Sequence, residues 1–151
     1  MSDPAVNSSS PNAALTMEAF FTRERANEGI EFPLDYPDGR PSPFRLKIRG
    51  VDSDAFKAAK ADSRRRLLEI AQRNNKVEID AIDADAEHVR LISTLVVGWT
   101  FPQPFTPDAV FKFLKEAPQI VEQIDRISAR RGLFMPKDLK DSISSLNTKS
   151  D

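Results

Sequence analysis

Apolar and polar residues alternate with a period of two in one stretch of the chain, residues 30–49. Ile30-Glu31-Phe32-Pro33-Leu34-Asp35-Tyr36 alternates loosely, and Phe44-Arg45-Leu46-Lys47-Ile48-Arg49 strictly. That period sets Phe44, Leu46 and Ile48 on one face and Arg45, Lys47 and Arg49 on the other. Asp38-Gly39, inside the proline-rich connection Pro37–Pro43, predicts a turn and therefore one β-hairpin. Pro33 has no N–H to donate, so its strand belongs at a sheet edge. A two-stranded hairpin is marginal in water and needs something to cover its apolar face.

The remaining periodicity is helical. Leu15 to Asn27 reads as a turn or two of helix, with Phe20 and Phe21 docked on the core and Arg23, Glu24, Arg25 and Glu28 facing water. Gly29 stops it. Asp52 or Ser53 supplies an N-cap for a helix over 53–75, whose face is Phe56, Ala59, Ser63, Leu67, Ile70 and Ala71. A helix over 81–99 begins around Asp80 or Asp83 and carries Ile82, Ala86, Val89, Ile92, Val96 and Trp99. Two prolines keep Phe101–Phe105 out of any helix interior. Thr106-Pro107-Asp108 is a helix start, with threonine as cap and proline in the first turn. It opens a helix over 107–116 bearing Val110, Phe111, Phe113 and Leu114. Pro118 kinks that helix or opens another over 118–131, where Ile120, Ile124 and Ile127 form one stripe that belongs in the core.

The fold class that follows is α+β and mostly α. One hairpin packs on about four helices in a single domain over residues 15–135. Residues 1–14, rich in Ser, Asn, Pro and Ala, read as a disordered arm. Residues 136–151 read as a flexible polar tail, in which Leu139, Ile143 and Leu146 fall on one side of an amphipathic turn.

Composition narrows the chemistry. The 151 residues include 22 Lys+Arg against 23 Asp+Glu, a balance that speaks against a nucleic-acid coat or an anionic-membrane binder. With no cysteine there is no disulfide, thiol nucleophile, iron–sulfur cluster or cysteine zinc site. One histidine, His88, cannot make a multi-histidine metal site in one chain. The start Met1-Ser2-Asp3-Pro4 lacks the pattern of a secretory signal, and no apolar run is long enough for a bilayer, so the expectation is a cytoplasmic protein.

Specific motifs fail one by one. The acidic run Glu78–His88 suggests a calcium loop, but counted from Asp80 the sixth and twelfth positions are Asp85 and Leu91. A loop of that type needs Gly and Glu there, so the run reads as a helix N-terminus whose acids suit the dipole. Arg64-Arg65-Arg66, with Lys57 and Lys60, could face phosphates. Consecutive helix positions fan around the axis, however, and Asp62 and Glu69 intervene, so a solvated face is the better reading. Arg130-Arg131 complements a helix C-terminus. Phosphate-loop, nucleophile-elbow and paired HxxE or DxD patterns are absent from the sequence, so no enzyme and no cofactor is expected.

Aromatic residues stand out instead. Gly98-Trp99-Thr100-Phe101-Pro102-Gln103-Pro104-Phe105 sets the sole tryptophan among phenylalanines between two helices. These rings lock a helix corner, or part of the cluster is a contact patch for another protein. Phe111 and Phe113 lie about 200° apart on a helix and cannot both enter one core. The candidate partner-binding residues are therefore Trp99, Phe101, Phe105, Phe111 and Phe113.

The order of these features resembles the tail assembly chaperones of long-tailed bacteriophages over about residues 18–135. The resemblance rests on Phe20-Phe21-Thr22-Arg23, Asn27-Glu28-Gly29, the hairpin Phe32-Pro33-Leu34-Asp35-Tyr36-Pro37-Asp38-Gly39 and its return Ile48-Arg49-Gly50-Val51-Asp52-Ser53. It continues through Leu95-Val96-Val97-Gly98-Trp99, Phe105-Thr106-Pro107-Asp108-Ala109-Val110 and Ala117-Pro118-Gln119-Ile120-Val121-Glu122-Gln123-Ile124-Asp125 to Arg130-Arg131-Gly132-Leu133-Phe134. The resemblance implies a non-enzymatic binding protein of the host cytoplasm that is left out of the mature virion. Its implied partners are the tape measure protein, which it keeps soluble, the tail tube protein that displaces it, and further copies of itself. Many such phages also make a longer form by ribosomal frameshifting, and the polar stretch 142–151 suits the end of a short form. A structural tail or head-completion protein would share this size and composition, and a small DNA-binding regulator using Lys57–Arg66 is the more distant alternative.

Overall fold

The computed structural model describes residues 16–73, 76–77 and 83–136. The arm at 1–14, the tail beyond Pro136 and the alternative helix start at Asp80 lie outside the described residues. What is described is a mixed fold in which helix outweighs strand.

A 3-10 turn, Met17–Phe20, precedes helix α1, Arg23–Glu28. Gly29 ends α1 at φ 93°, and its N–H donates to the Arg25 carbonyl at 2.9 Å. A β-carbon at Gly29 would meet the Ile48 carbonyl oxygen at 2.9 Å, so both the backbone angle and the close pass require glycine. Phe20 and Phe21, expected on the core, instead stand 82% and 53% exposed. The break between the turn and α1 falls at Phe21 and Thr22, and no described element covers the turn.

The hairpin forms as the alternation predicts. Strands β1, Ile30–Asp35, and β2, Pro41–Ile48, run antiparallel with Ile30 opposite Ile48 and Phe32 opposite Leu46. Phe32, Leu34, Leu46 and Ile48 are buried, while Glu31, Arg45 and Lys47 face out. Gly39 takes φ 94° in the turn, and its N–H donates to the Tyr36 carbonyl at 2.8 Å. The register shifts between Pro33 and Asp35, and there the Ser42 hydroxyl donates to the Leu34 carbonyl at 2.6 Å. The irregularity sits beside Pro33, which lies on an edge strand as expected.

The hairpin is not the whole sheet. The expected helix over 81–99 stops early, and Val96–Trp99 forms strand β3 on the far side of β2. Ile92, Val96 and Trp99 do fall at helical spacing. Val96, Val97 and Trp99, however, are residue types that fit a pleated surface better than a helix. The second edge of β2 also offers unpaired backbone groups. Arg49 N–H donates to the Leu95 carbonyl at 2.7 Å, and Thr100 N–H to the Arg45 carbonyl at 3.1 Å. Trp99 pairs opposite Leu46 and so shares its face of the three-stranded antiparallel sheet.

Three of the longer helices start at a capping side chain. Ser53, fully buried, accepts from the Phe56 N–H at 3.3 Å and opens α2, Asp54–Gln72. Asp83 accepts from the Ala86 N–H at 3.1 Å and opens α3, Ala84–Ser93, so the acidic run does cap a helix. Thr106 accepts from the Ala109 N–H at 3.1 Å and opens α4, Pro107–Glu116. Pro118 begins a separate helix, α5, Pro118–Ser128, followed by a 3-10 turn at Arg131–Phe134.

Leu46 and Ile48 of the sheet meet Leu95, Leu114, Ile120 and Ile124 in one core. Each such side chain withdrawn from water contributes roughly 2 kcal/mol. Ile120 and Ile124 are buried and Ile127 packs partly against the same cluster, as the stripe on α5 requires. The expected core face of α2 is the exception. Phe56 alone on α2 is buried, and Leu67 is 41% exposed. Its outer half is joined to α3 by the Arg66–Glu87 ion pair.

Candidate protein-binding surface

Trp99 is the hub of an aromatic cluster at the end of β3. Its ring centroid lies 5.2 Å from Phe101, 5.3 Å from Phe105 and 6.0 Å from Phe113, each met edge-on. Phe101 in turn lies 5.1 Å from Phe113 and 4.9 Å from Phe44 of the hairpin. Edge-to-face rings are the favourable arrangement for π systems and add to simple burial. The indole N–H donates to the Gln103 carbonyl at 2.9 Å. That bond curls the Phe101–Phe105 loop around Trp99, and Pro102 and Pro104 hold it out of helix. Trp99, Phe101 and Phe113 pack partly against the core, whereas Phe105 closes the cluster on its outer side at 42% exposure.

Phe111 stands apart from the other four candidates. Its ring lies 5.1 Å from the Arg90 guanidinium carbon and 5.8 Å from the Lys115 ammonium. The half-turn between Phe111 and Phe113 thus sends one ring to the aromatic cluster and the other to a flanking pair of cations.

Two apolar surfaces escaped the sequence reading. Phe20 and Phe21 form one, on the turn ahead of α1. The other is a groove of about 320 Å³ between α2 and α3, lined by Lys60, Ser63, Arg64, Leu67, Leu68 and Leu91. The available signal was the Leu67-Leu68 pair, because adjacent helix positions point about 100° apart and a narrow stripe buries one of them. A larger hollow of about 610 Å³ lies where α3 meets the α4–α5 corner. Val89, Leu114 and Val121 line it together with Asp83, Asp85, His88, Lys115 and Glu122.

Several of the described charged residues pair with one another. Arg65 pairs with Asp62 and Arg66 with Glu87, so the three-arginine run presents no single cationic patch. Arg131 forks onto Asp52, and that hydrogen bond holds the Asp52 carboxyl below its ordinary value. Arg23 forks onto Asp54 with the same effect, tying α1 to the start of α2. Among the described residues no three His, Asp or Glu side chains gather closely enough to hold a metal ion. No described helix is long and apolar enough to cross a membrane.

Comparison with known proteins brings no family model, no curated protein and no solved structure that matches the chain.

Proposed function

We propose that this chain is a tail assembly chaperone of a long-tailed bacteriophage, binding the tape measure protein and holding it soluble until tail tube subunits displace it. In this reading the protein is not an enzyme, needs no cofactor, acts in the cytoplasm of the infected cell and is left out of the mature particle.

The observation that carries the proposal is large apolar side chains held out to solvent on an otherwise charged surface. Phe20, Phe21 and Phe105 are the phenylalanines among them. Exposed phenylalanines on a rigid frame suit capture of an apolar helical segment, which docks its i, i+3, i+4, i+7 side chains into pockets. Phe105 is the accessible member of the Trp99 cluster, with a stiff base of Trp99, Phe101 and Phe113 beneath it. In the same reading the hairpin and its added strand form the platform on which the helices present these rings. The motifs of the resemblance are local structure throughout: a strand at Val96–Trp99, a cap at Thr106 and a helix break at Pro118.

A structural tail or head-completion protein would stay in the particle, so mass spectrometry of purified virions tests the proposal. The chaperone reading predicts absence or trace amounts. Copies in fixed proportion to tail tube subunits would overturn it.

A further inference from the structure

We infer that the groove between α2 and α3 docks a helical segment of another protein, one that carries carboxylates in one half and apolar side chains in the other. The inference does not rest on the chaperone reading. Within that reading the segment belongs to the tape measure protein, but the test below needs no client and stands or falls separately.

Phe56 is the one buried residue of α2, while Leu67 and Leu68 stand 41% and 55% exposed. At about 100° per residue, Lys57, Lys60, Arg64, Leu67 and Leu68 share an arc of about 100° on this helix. The strip is divided along its length. Three cations occupy its first turns, and two leucines follow, which Leu91 of α3 joins across the groove. The α2 carboxylates, Asp54, Asp62 and Glu69, all fall outside that arc. Asp54 is held by Arg23 and Asp62 by Arg65, and neither Lys60 nor Arg64 has an ion pair among the described residues.

Charge and shape together decide the occupant. Unpaired cations along the strip call for carboxylates, and converging leucines call for apolar side chains. A closed apolar space of about 150 Å³ accepts a benzene ring, so a groove of about 320 Å³ has room for inserted side chains. A lipid surface takes an outward-facing apolar stripe, whereas these leucines meet Leu91 in a recess. A second copy presenting the same strip would bring cations to cations, which costs affinity. From Lys57 to Leu68 the strip runs about 16 Å, so a matching helix has about three turns. Carboxylates in the first turn of such a helix also suit its own dipole, and its leucines enter the groove as an amphipathic helix does.

The probe is a fluorescein-labelled, alanine-based peptide of about 15 residues, long enough to turn helical. Glutamates fill one face of its first half and leucines the same face of its second half. A twin carries lysine for each glutamate. Fluorescence anisotropy with the full-length chain should show saturable binding of the acidic peptide and about tenfold weaker binding of the twin. Leu68→Ser should weaken the acidic peptide about tenfold. Lys60→Glu combined with Arg64→Glu should reverse the preference between the twins. All three positions are exposed, and an unchanged circular-dichroism spectrum checks that each variant folds. Equal affinity for the two peptides would overturn the inference, as would no binding of the acidic one at millimolar chain. Binding indifferent to Leu68→Ser would overturn it too. Co-sedimentation with phosphatidylserine vesicles that is lost in Leu68→Ser, without peptide binding, would give the strip to a membrane instead.

Discussion

Arg131 closes both arms of its guanidinium on Asp52, at 2.6 Å and 3.0 Å, joining positions 79 residues apart. The pair fixes the last 3-10 turn beside the approach to α2, where Phe134 is buried. The hydrogen bond lowers the Asp52 carboxyl from its ordinary 3.8, so the unfolded chain takes up the proton more readily than the folded one. The contribution is therefore complete above the ordinary carboxylate range and drains away as pH falls through it. Arg131→Gln should lower the urea midpoint at pH 7, with the difference from the parent vanishing toward pH 2. A difference that is constant with pH would remove Asp52 from the explanation.

Phe134 also crowds Gly50. A β-carbon there would sit 2.9 Å from Ala26 Cβ and 3.3 Å from two Phe134 ring carbons. Gly50→Ala should destabilise the domain by about 1–3 kcal/mol through overpacking. Gly132→Ala, where a β-carbon meets nothing within 4 Å, should stay within about 0.5 kcal/mol of the parent in denaturant titration.

The two rings of α4 should behave oppositely. Phe113 touches Trp99 and Phe101, so Phe113→Ser should cost about 3 kcal/mol and quench the near-ultraviolet circular-dichroism signal of the indole. Phe111 contacts Arg90 and Lys115 at the surface, so Phe111→Ser should cost less than about 1 kcal/mol and spare that signal.

Much of the backbone was legible because local chemistry decided it. Ser53, Thr106 and Pro118 start helices where their side chains say they must, and Gly29 and Gly39 take the positive φ angles that turns need. Residues 94–99 misled because helical spacing and β-forming residue types coincide there, and the choice was made by the free edge of β2, which only the tertiary fold supplies. Leu67 misled for a related reason. Periodicity shows which side of α2 is apolar but not where the neighbouring layer ends. The candidate rings were legible as a cluster, while their division into Trp99, Phe101 and Phe113 inside, Phe105 outside and Phe111 apart needed the loop that Gln103 closes on the indole. Phe20 and Phe21 went unrecognised because a two-residue break ahead of α1 carries no strong sequence signal.

Co-expression with a phage tape measure protein tests the proposed chaperone role most directly. The account predicts that a tape measure protein that precipitates when expressed alone becomes soluble and co-purifies with the tagged chain. Phe105→Ser combined with Phe20→Ser should sharply reduce that capture while leaving the circular-dichroism spectrum of the chain unchanged. A tape measure protein that stays equally insoluble with and without the chain would contradict the account.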